Sequence, residues 1–258
     1  MVYGAEVYTM SRTGCSAMLF LLTIAAICPA RVADEKQSVA LDEDPALVGW
    51  WKFDETTGAT AADSSRARHN GMLSDGLTFE AASVYGKVGK GLLLTADQYV
   101  EIRGYKGVAG TKPRSVAAWF KTAKRQGDIA VWGVPDSGKQ FRFGHIRGRL
   151  GVTPFGGYYY MKEYTNDDKW HHVVLVITES ELPNLHDNVR LFLDGRIAEV
   201  DDIGLLDLLP IETAEGADVR LGAGFEGVLD DVRIYSRALT LDEAKAIHEG
   251  KSNKPLGK

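Results

Sequence analysis

One alternating run near the C-terminus constrains this chain more than any other feature. Residues 225–240 read Phe-Glu-Gly-Val-Leu-Asp-Asp-Val-Arg-Ile-Tyr-Ser-Arg-Ala-Leu-Thr, a strand with period-two alternation that runs straight into a helix start. Val228, Asp230, Val232 and Ile234 are expected on one face, and Leu229, Asp231, Arg233 and Tyr235 on the other. Thr240 and Glu243 have the spacing of a capping box, so a short C-terminal helix should begin there. Upstream, from Leu47, the chain is a series of short apolar runs separated by glycine-rich turns, with no long helical period. That pattern argues for an all-β sandwich.

The first thirty residues stand apart from this pattern. Met18 to Ile27 is an apolar run too short to span a bilayer comfortably; Arg12 precedes it and Cys28-Pro29-Ala30 follows. This is the layout of a secretory signal peptide cleaved after Ala30, with Met1 or Met10 as the start. The expected location is therefore secreted or periplasmic. Both cysteines, Cys15 and Cys28, fall within the leader, so the mature chain is expected to carry no disulfide and no thiol metal site. The formal net charge is -5. An acidic chain of this kind does not suit nucleic-acid binding through bulk electrostatics.

The expected organisation is a signal peptide over 1–30, a polar linker over 31–46, one domain over 47–250 and a frayed tail over 251–258. Within the domain, Phe141–Ile146 and Arg149–Val152 read as a hairpin over Arg147-Gly148. Trp51, Phe53, Trp119, Trp170, Phe192 and Leu221 are expected in the core between two sheets.

Several strings recur in the order of a known family. Trp51-Lys52-Phe53-Asp54-Glu55 is followed by Asp63-Ser64-Ser65 and Asn70-Gly71, and Gly86 to Leu92 by Ser115-Val116-Ala117-Ala118-Trp119-Phe120-Lys121. Trp170-His171-His172-Val173, Leu191-Phe192-Leu193-Asp194-Gly195 and the closing strand complete the series. Together they resemble the laminin-G-like, concanavalin A-like domains of bacterial secreted type. The resemblance implies a two-sheet antiparallel jelly roll, in a family dominated by carbohydrate- and protein-binding modules. Many members of that family carry a structural calcium ion.

Some relatives of the fold are glucanases, which place three acids on one strand as E-x-D-x-x-E. The nearest string here runs from Glu199 through Asp201 to Gly204, with glycine where the second glutamate should stand. No proton donor for a leaving group is left at that spacing. His171 and His172 are adjacent on a strand and point to opposite faces, so they cannot share a metal ion. Calcium suits hard oxygen ligands, and Asp63 and Asp230 are the candidate ligands in the oxygen-rich segments of the resemblance.

For an organic ligand, Tyr158-Tyr159-Tyr160 stands out beside a basic region containing Lys121, Lys124, Arg125, Lys139, Arg142, Arg147 and Arg149. Tyr158 and Tyr160 should share a face, offering flat rings to a sugar, with Trp132 nearby and Arg142 as a fork for an anionic group. The resulting expectation is a secreted, non-catalytic, lectin-like domain that binds a polysaccharide or glycoconjugate at Tyr158, Tyr160, Arg142 and Trp132. The alternative is an extracellular protein–protein or cell-surface interaction module. A polysaccharide hydrolase or lyase comes third.

Overall fold

The computed structural model describes residues 39–256 apart from residue 75 and residues 205–207. The expected leader, with Cys15, Cys28 and Met10, lies outside the described residues. Strands follow the glycine-punctuated pattern. In chain order they are β1 (Leu47–Trp51), β2 (Thr60–Ala61), β3 (Gly71–Leu73), β4 (Ser83–Tyr85), β5 (Lys90–Leu94), β6 (Val100–Ile102), β7 (Arg114–Lys121) and β8 (Gly127–Gly133). There follow β9 (Gln140–Ile146), β10 (Arg149–Thr153), β11 (Tyr159–Tyr164), β12 (Trp170–Ile177), β13 (Val189–Leu193), β14 (Arg196–Ile197), β15 (Val200–Ile203), β16 (Ala217–Leu221) and β17 (Gly227–Tyr235). Helices are short: α1 (Phe79–Ala82), α2 (Leu185–Asn188) and α3 (Leu241–His248).

All pairings are antiparallel and form two sheets. One has eight strands, ordered β14-β13-β12-β7-β17-β5-β4 with β1 also on β17; the other has nine, ordered β15-β11-β10-β9-β8-β16-β6-β3-β2. Between them lies the main core, which includes Trp51, Phe53, Phe120, Phe141, Phe143, Leu221 and Phe225. Burial of each such side chain contributes about 1.5–3 kcal/mol. This is the expected concanavalin A-like jelly roll.

Two of the six residues expected between the sheets lie elsewhere in the interior, and a third is only half-buried. Phe192 belongs to a second cluster, on the outer face of the eight-stranded sheet, with Leu41, Leu47, Trp50, Ala117, Val174, Val176 and Tyr235. Helix α3 covers this cluster with Ala244, Ala246 and Ile247. Trp119 is also buried on that outer face, where its ring stacks on His248 at 5.1 Å. Trp170, at the start of β12, is only half-buried.

The helix is fixed by the anticipated capping box: Thr240 Oγ1 accepts from Glu243 N, and the Glu243 carboxylate accepts from Thr240 N. Arg237 bridges Asp44 and Glu243, each at 2.6 Å, tying the segment before β1 to α3. Residues 41–46, expected within a linker, are thus packed onto the sandwich, with Leu41 buried and Leu41–Glu43 forming one 3-10 turn. Ser252, expected in the frayed tail, is buried as well.

β17 departs from strict alternation. Its edge pairs with β5 over Gly227–Leu229 and then with β1 up to Tyr235. Where the partner changes, a bulge inserts one residue between Asp230 and Arg233, and Asp231 sits at φ 49°. Leu229, Val232 and Ile234 therefore face the main core, and Asp230, Asp231 and Arg233 all line one cavity on the outer face.

Candidate functional site

Two concavities carry charged and aromatic groups. The first, of about 240 Å³, lies on the outer face of the eight-stranded sheet and includes Asp42, Trp50, Asp54, Asp230, Asp231 and Arg233 in its lining. Most of its charges are engaged by the protein itself, although the buried Asp230 Oδ1 has no hydrogen-bond partner among the described residues. Arg233 is buried and pairs with Asp42 at 2.6 Å and Asp231 at 3.1 Å, while Trp50 Nε1 donates to Asp231. Asp230 Oδ2 accepts from the amides of Lys87 and Val88 at 2.7 and 2.8 Å, and Asp54 Oδ1 accepts from Lys90 N at 2.8 Å. Two carboxylates thus hold the turn between β4 and β5. Burial pushes the Asp230 carboxyl up to about 7, helped by the neighbouring Asp231 and Asp54 charges and opposed by the two amides.

Asp63 belongs to a different network. Its carboxylate accepts from Trp50 N, Ser65 N, Ser65 Oγ and His69 N, at 2.7–2.9 Å. Four donors saturate its oxygens, so Asp63 organises a turn and does not fit a role as a calcium ligand. Among the described residues no group of three or more His, Cys, Asp and Glu side chains is placed to hold a metal ion. Asp63 and Asp230 thus sit in separate hydrogen-bond networks.

The second concavity, about 300 Å³, opens on the outer face of the nine-stranded sheet and is lined by Ile146, Arg147, Arg149, Thr153, Tyr158 and Tyr160. That volume is at the small end of ligand sites, about 300–1,000 Å³. The tyrosine alternation is as expected: Tyr159 packs into the main core, and the Tyr158 and Tyr160 rings meet outside it at 5.9 Å. Tyr158 is 42% exposed, while Tyr160 is only 4% exposed.

Both rings rest on glycine. A Cβ at Gly151 would meet Tyr160 Cδ1 at 2.4 Å, and one at Gly204 would meet Tyr158 Cδ1 at 2.9 Å. Gly204 is the position where the glucanase string would need its second acid, and here it seats an aromatic ring. The remaining acids of that string are engaged by cations, Glu199 with Lys162 at 3.0 Å and Asp201 with Arg149 at 3.1 Å.

The hairpin over Arg147-Gly148 forms as expected, with both residues at positive φ, 57° and 87°. Arg142 and Trp132 do not join the cleft. Arg142 Nε donates to Asp128 Oδ1 at 2.8 Å. Burial raises the Asp128 carboxyl, against the pull of Arg142. Trp132 is 1% exposed and stacks on Phe141 at 3.8 Å, because a bulge between Asp128 and Ala130 turns it inward. Arg147 and Ile146 were not singled out as ligand residues. Their signal was the hairpin itself, which places its turn beside the tyrosines.

His171 and His172 point to opposite faces, as expected. His171 bonds Asp194 at 2.9 Å and Asp167 at 3.1 Å, which raises its pKa. His172 is buried, and desolvation lowers it to about 3.

This geometry defines a jelly-roll sandwich with an aromatic cleft on one sheet. A family model described as the concanavalin A-like lectin/glucanases superfamily, of laminin-G type, matches residues 94–245, and the chain belongs to that family. A search of curated protein sequences found no match. Among solved structures the chain is similar to domain 4 of AbnA, a GH43 extracellular arabinanase from Geobacillus stearothermophilus, in complex with arabinotriose. The TM-score is 0.57 at 17% identity, over 78% of this chain and 98% of that domain. It is also similar to the binding domain of Paraclostridial Mosquitocidal Protein 1, with TM-score 0.54, 14% identity and coverage of 81% and 53%. The receptor binding domain of botulinum neurotoxin D gives TM-score 0.51, 11% identity and coverage of 82% and 54%. The chain spans about half the length of the two toxin domains. At these identities the likeness concerns the fold alone.

Proposed function

We propose that this is an exported, non-catalytic carbohydrate-binding domain that takes a glycan in the cleft at Tyr158 and Tyr160. The observation that carries the reading is the Tyr158 ring, exposed and seated on Gly204 at the mouth of a cleft that also offers guanidinium groups. A sugar presents an apolar face to such a ring and hydroxyls to its polar surroundings. Tyr160 acts as a floor that holds Tyr158 in place. The arabinotriose complex of the similar arabinanase domain supports the reading by analogy. Export rests on the leader-like segment over Met1–Ala30. No helix among the described residues is long and apolar enough to cross a membrane.

Calorimetric titration of the mature protein with neutral and acidic oligosaccharides tests this. At least one class should bind, and Tyr158→Ala should weaken it about tenfold, the scale of one aromatic contact. A folded Tyr158→Ala protein that binds as well as its parent would place the site elsewhere. A protein-interaction module has one feature in its favour: Tyr85, Val88 and Leu93 are exposed on and around β4 and β5, at the edge of the other sheet. Silence across the whole oligosaccharide panel would favour that reading.

A further inference from the structure

The basic residues around the tyrosine run divide by what faces them. Lys121 meets Asp168, Lys124 meets Glu226 and Lys139 meets Asp136, at 3.1–3.8 Å. Arg142 is bound to Asp128 and Arg149 to Asp201. Arg125 and Arg147 have no carboxylate within ion-pair distance among the described residues. These two belong to one structure. Arg125 Nη2 donates to Arg147 O at 3.1 Å, and Gly148 N donates to Arg125 O at 2.9 Å, so the β9–β10 turn is clamped from below. Of this unmatched pair only Arg147 lines the cleft, on the same wall as Ile146 and within the same concavity as the Tyr158 ring.

We infer that the cleft prefers glycans bearing an anionic group, carboxylate or sulfate, and that Arg147 is the residue that binds that group. The inference rests on the glycan-binding reading above and adds the ligand's charge to it. The physical basis is a guanidinium with no carboxylate within ion-pair distance among the described residues, held on a fixed turn beside an aromatic ring. A sugar ring laid on Tyr158 can direct an acidic substituent toward the Arg147 fork, where charge-assisted hydrogen bonds form without first breaking a protein ion pair. Arg142, bound to a buried carboxylate, would have to give up that partner to do the same. The correction is therefore one of position: the paired arginine within the strand gives way to the unpaired arginine at the turn.

The test uses the mature protein and four probes: a hexuronic-acid tetramer, its methyl ester, a sulfated hexose tetramer and the unsulfated parent. An acidic probe should bind about tenfold tighter than its neutral counterpart, the scale of one charge-assisted hydrogen bond. Which acidic probe shows the preference tells carboxylate from sulfate. Arg147→Gln should erase the preference, so that acidic and neutral probes bind that variant alike, while Arg147→Lys should keep part of it. Arg142→Gln should leave it intact. So should Arg220→Gln, which removes an exposed charge paired with Glu101 at 3.0 Å, on a strand of the same sheet but outside the cleft. Equal loss in Arg220→Gln would mean that only the overall field is felt, and the inference falls. If neutral and acidic probes bind alike, the glycan reading stands and the inference falls. If nothing binds, both fall.

Discussion

Trp119 and Tyr158 are both aromatic side chains on the outer face of a sheet, yet their surroundings differ in every physical respect. Trp119 on β7 lies beside α3, stacked on His248 at 5.1 Å and tilted against His172 at 5.0 Å, with Lys87 Nζ 4.8 Å from its ring. Tyr158, just before β11, rests on the bare backbone at Gly204 and faces solvent over much of its ring. The first ring completes a layer. The second is left available.

The same contrast holds for charge. On the covered face Arg233 pairs with both Asp231 and Asp42 largely out of solvent, and breaking such a set costs far more than the set contributes over an apolar equivalent. On the open face the ion pairs are partly exposed, and the cleft-lining Arg147 has no carboxylate within ion-pair distance among the described residues. The two faces show how one sandwich divides its work: a helix and an ion network close one sheet, and two glycines open the other.

The largest expected effect is at Trp119. Trp119→Ala should cost about 3–5 kcal/mol in urea unfolding, because it empties a space bounded by His248, His172 and Lys87. A loss below about 1 kcal/mol would mean that the helix layer adds little, and the contrast between the faces would break.

Asp230 sharpens the covered side. Its carboxyl is raised from 3.8 to about 7, so the folded protein holds that proton more tightly than the unfolded chain does. The resulting stabilisation is fully present below about pH 4 and is lost as pH rises through about 7. In Asp230→Asn the group no longer titrates, and the amide oxygen can still accept from Lys87 and Val88. The stability difference between variant and parent should therefore move in the variant's favour from pH 5 to pH 8, whatever its constant offset. Urea midpoints at the two pH values measure it. A difference that stays flat would show that Asp230 titrates as an ordinary carboxylate. Comparing each variant with its parent cancels the groups that shift the other way, such as Asp194 and Glu243, whose pKa values are lowered.

How much of this was legible depended on whether a strand has one buried face or two. Around Tyr158 one face meets solvent, so alternation alone placed Tyr159 inside and its neighbours outside. β7 is buried from Arg114 to Phe120, and a period of two then says nothing about which side faces which layer. Trp119 falls in the other layer for that reason, whereas Phe192 shares its face of β13 with the exposed Arg190, so there the alternation itself points outward. Bulges were the second obstacle. The extra residues near Asp231 and Asp128 shift the parity of β17 and β8, which gathers Asp230, Asp231 and Arg233 on one face and turns Trp132 inward. No residue in either string announces the shift. The cleft was half legible: the tyrosines came from alternation, whereas the choice between Arg142 and Arg147 depended on which arginine already has an acid partner, a fact of tertiary structure.

The smallest expected effect falls on the open side. Tyr158→Ala should change stability by no more than about 0.5 kcal/mol, as an exposed substitution does, while weakening glycan binding. The reason is that the ring is 42% exposed and its seat, Gly204, keeps its backbone bond from Gly204 N to Tyr158 O at 2.9 Å in the variant. Removing the ring deletes a contact surface and leaves the strand pairing intact. The same urea experiment that reads Trp119→Ala reads this variant, so the two rings are measured on one scale. If Tyr158→Ala proves as costly as Trp119→Ala, Tyr158 is a structural ring like its counterpart, and the open face has no aromatic platform to offer a sugar. If it is silent in stability and lowers affinity, the division between a closed face and a binding face holds at single-residue level.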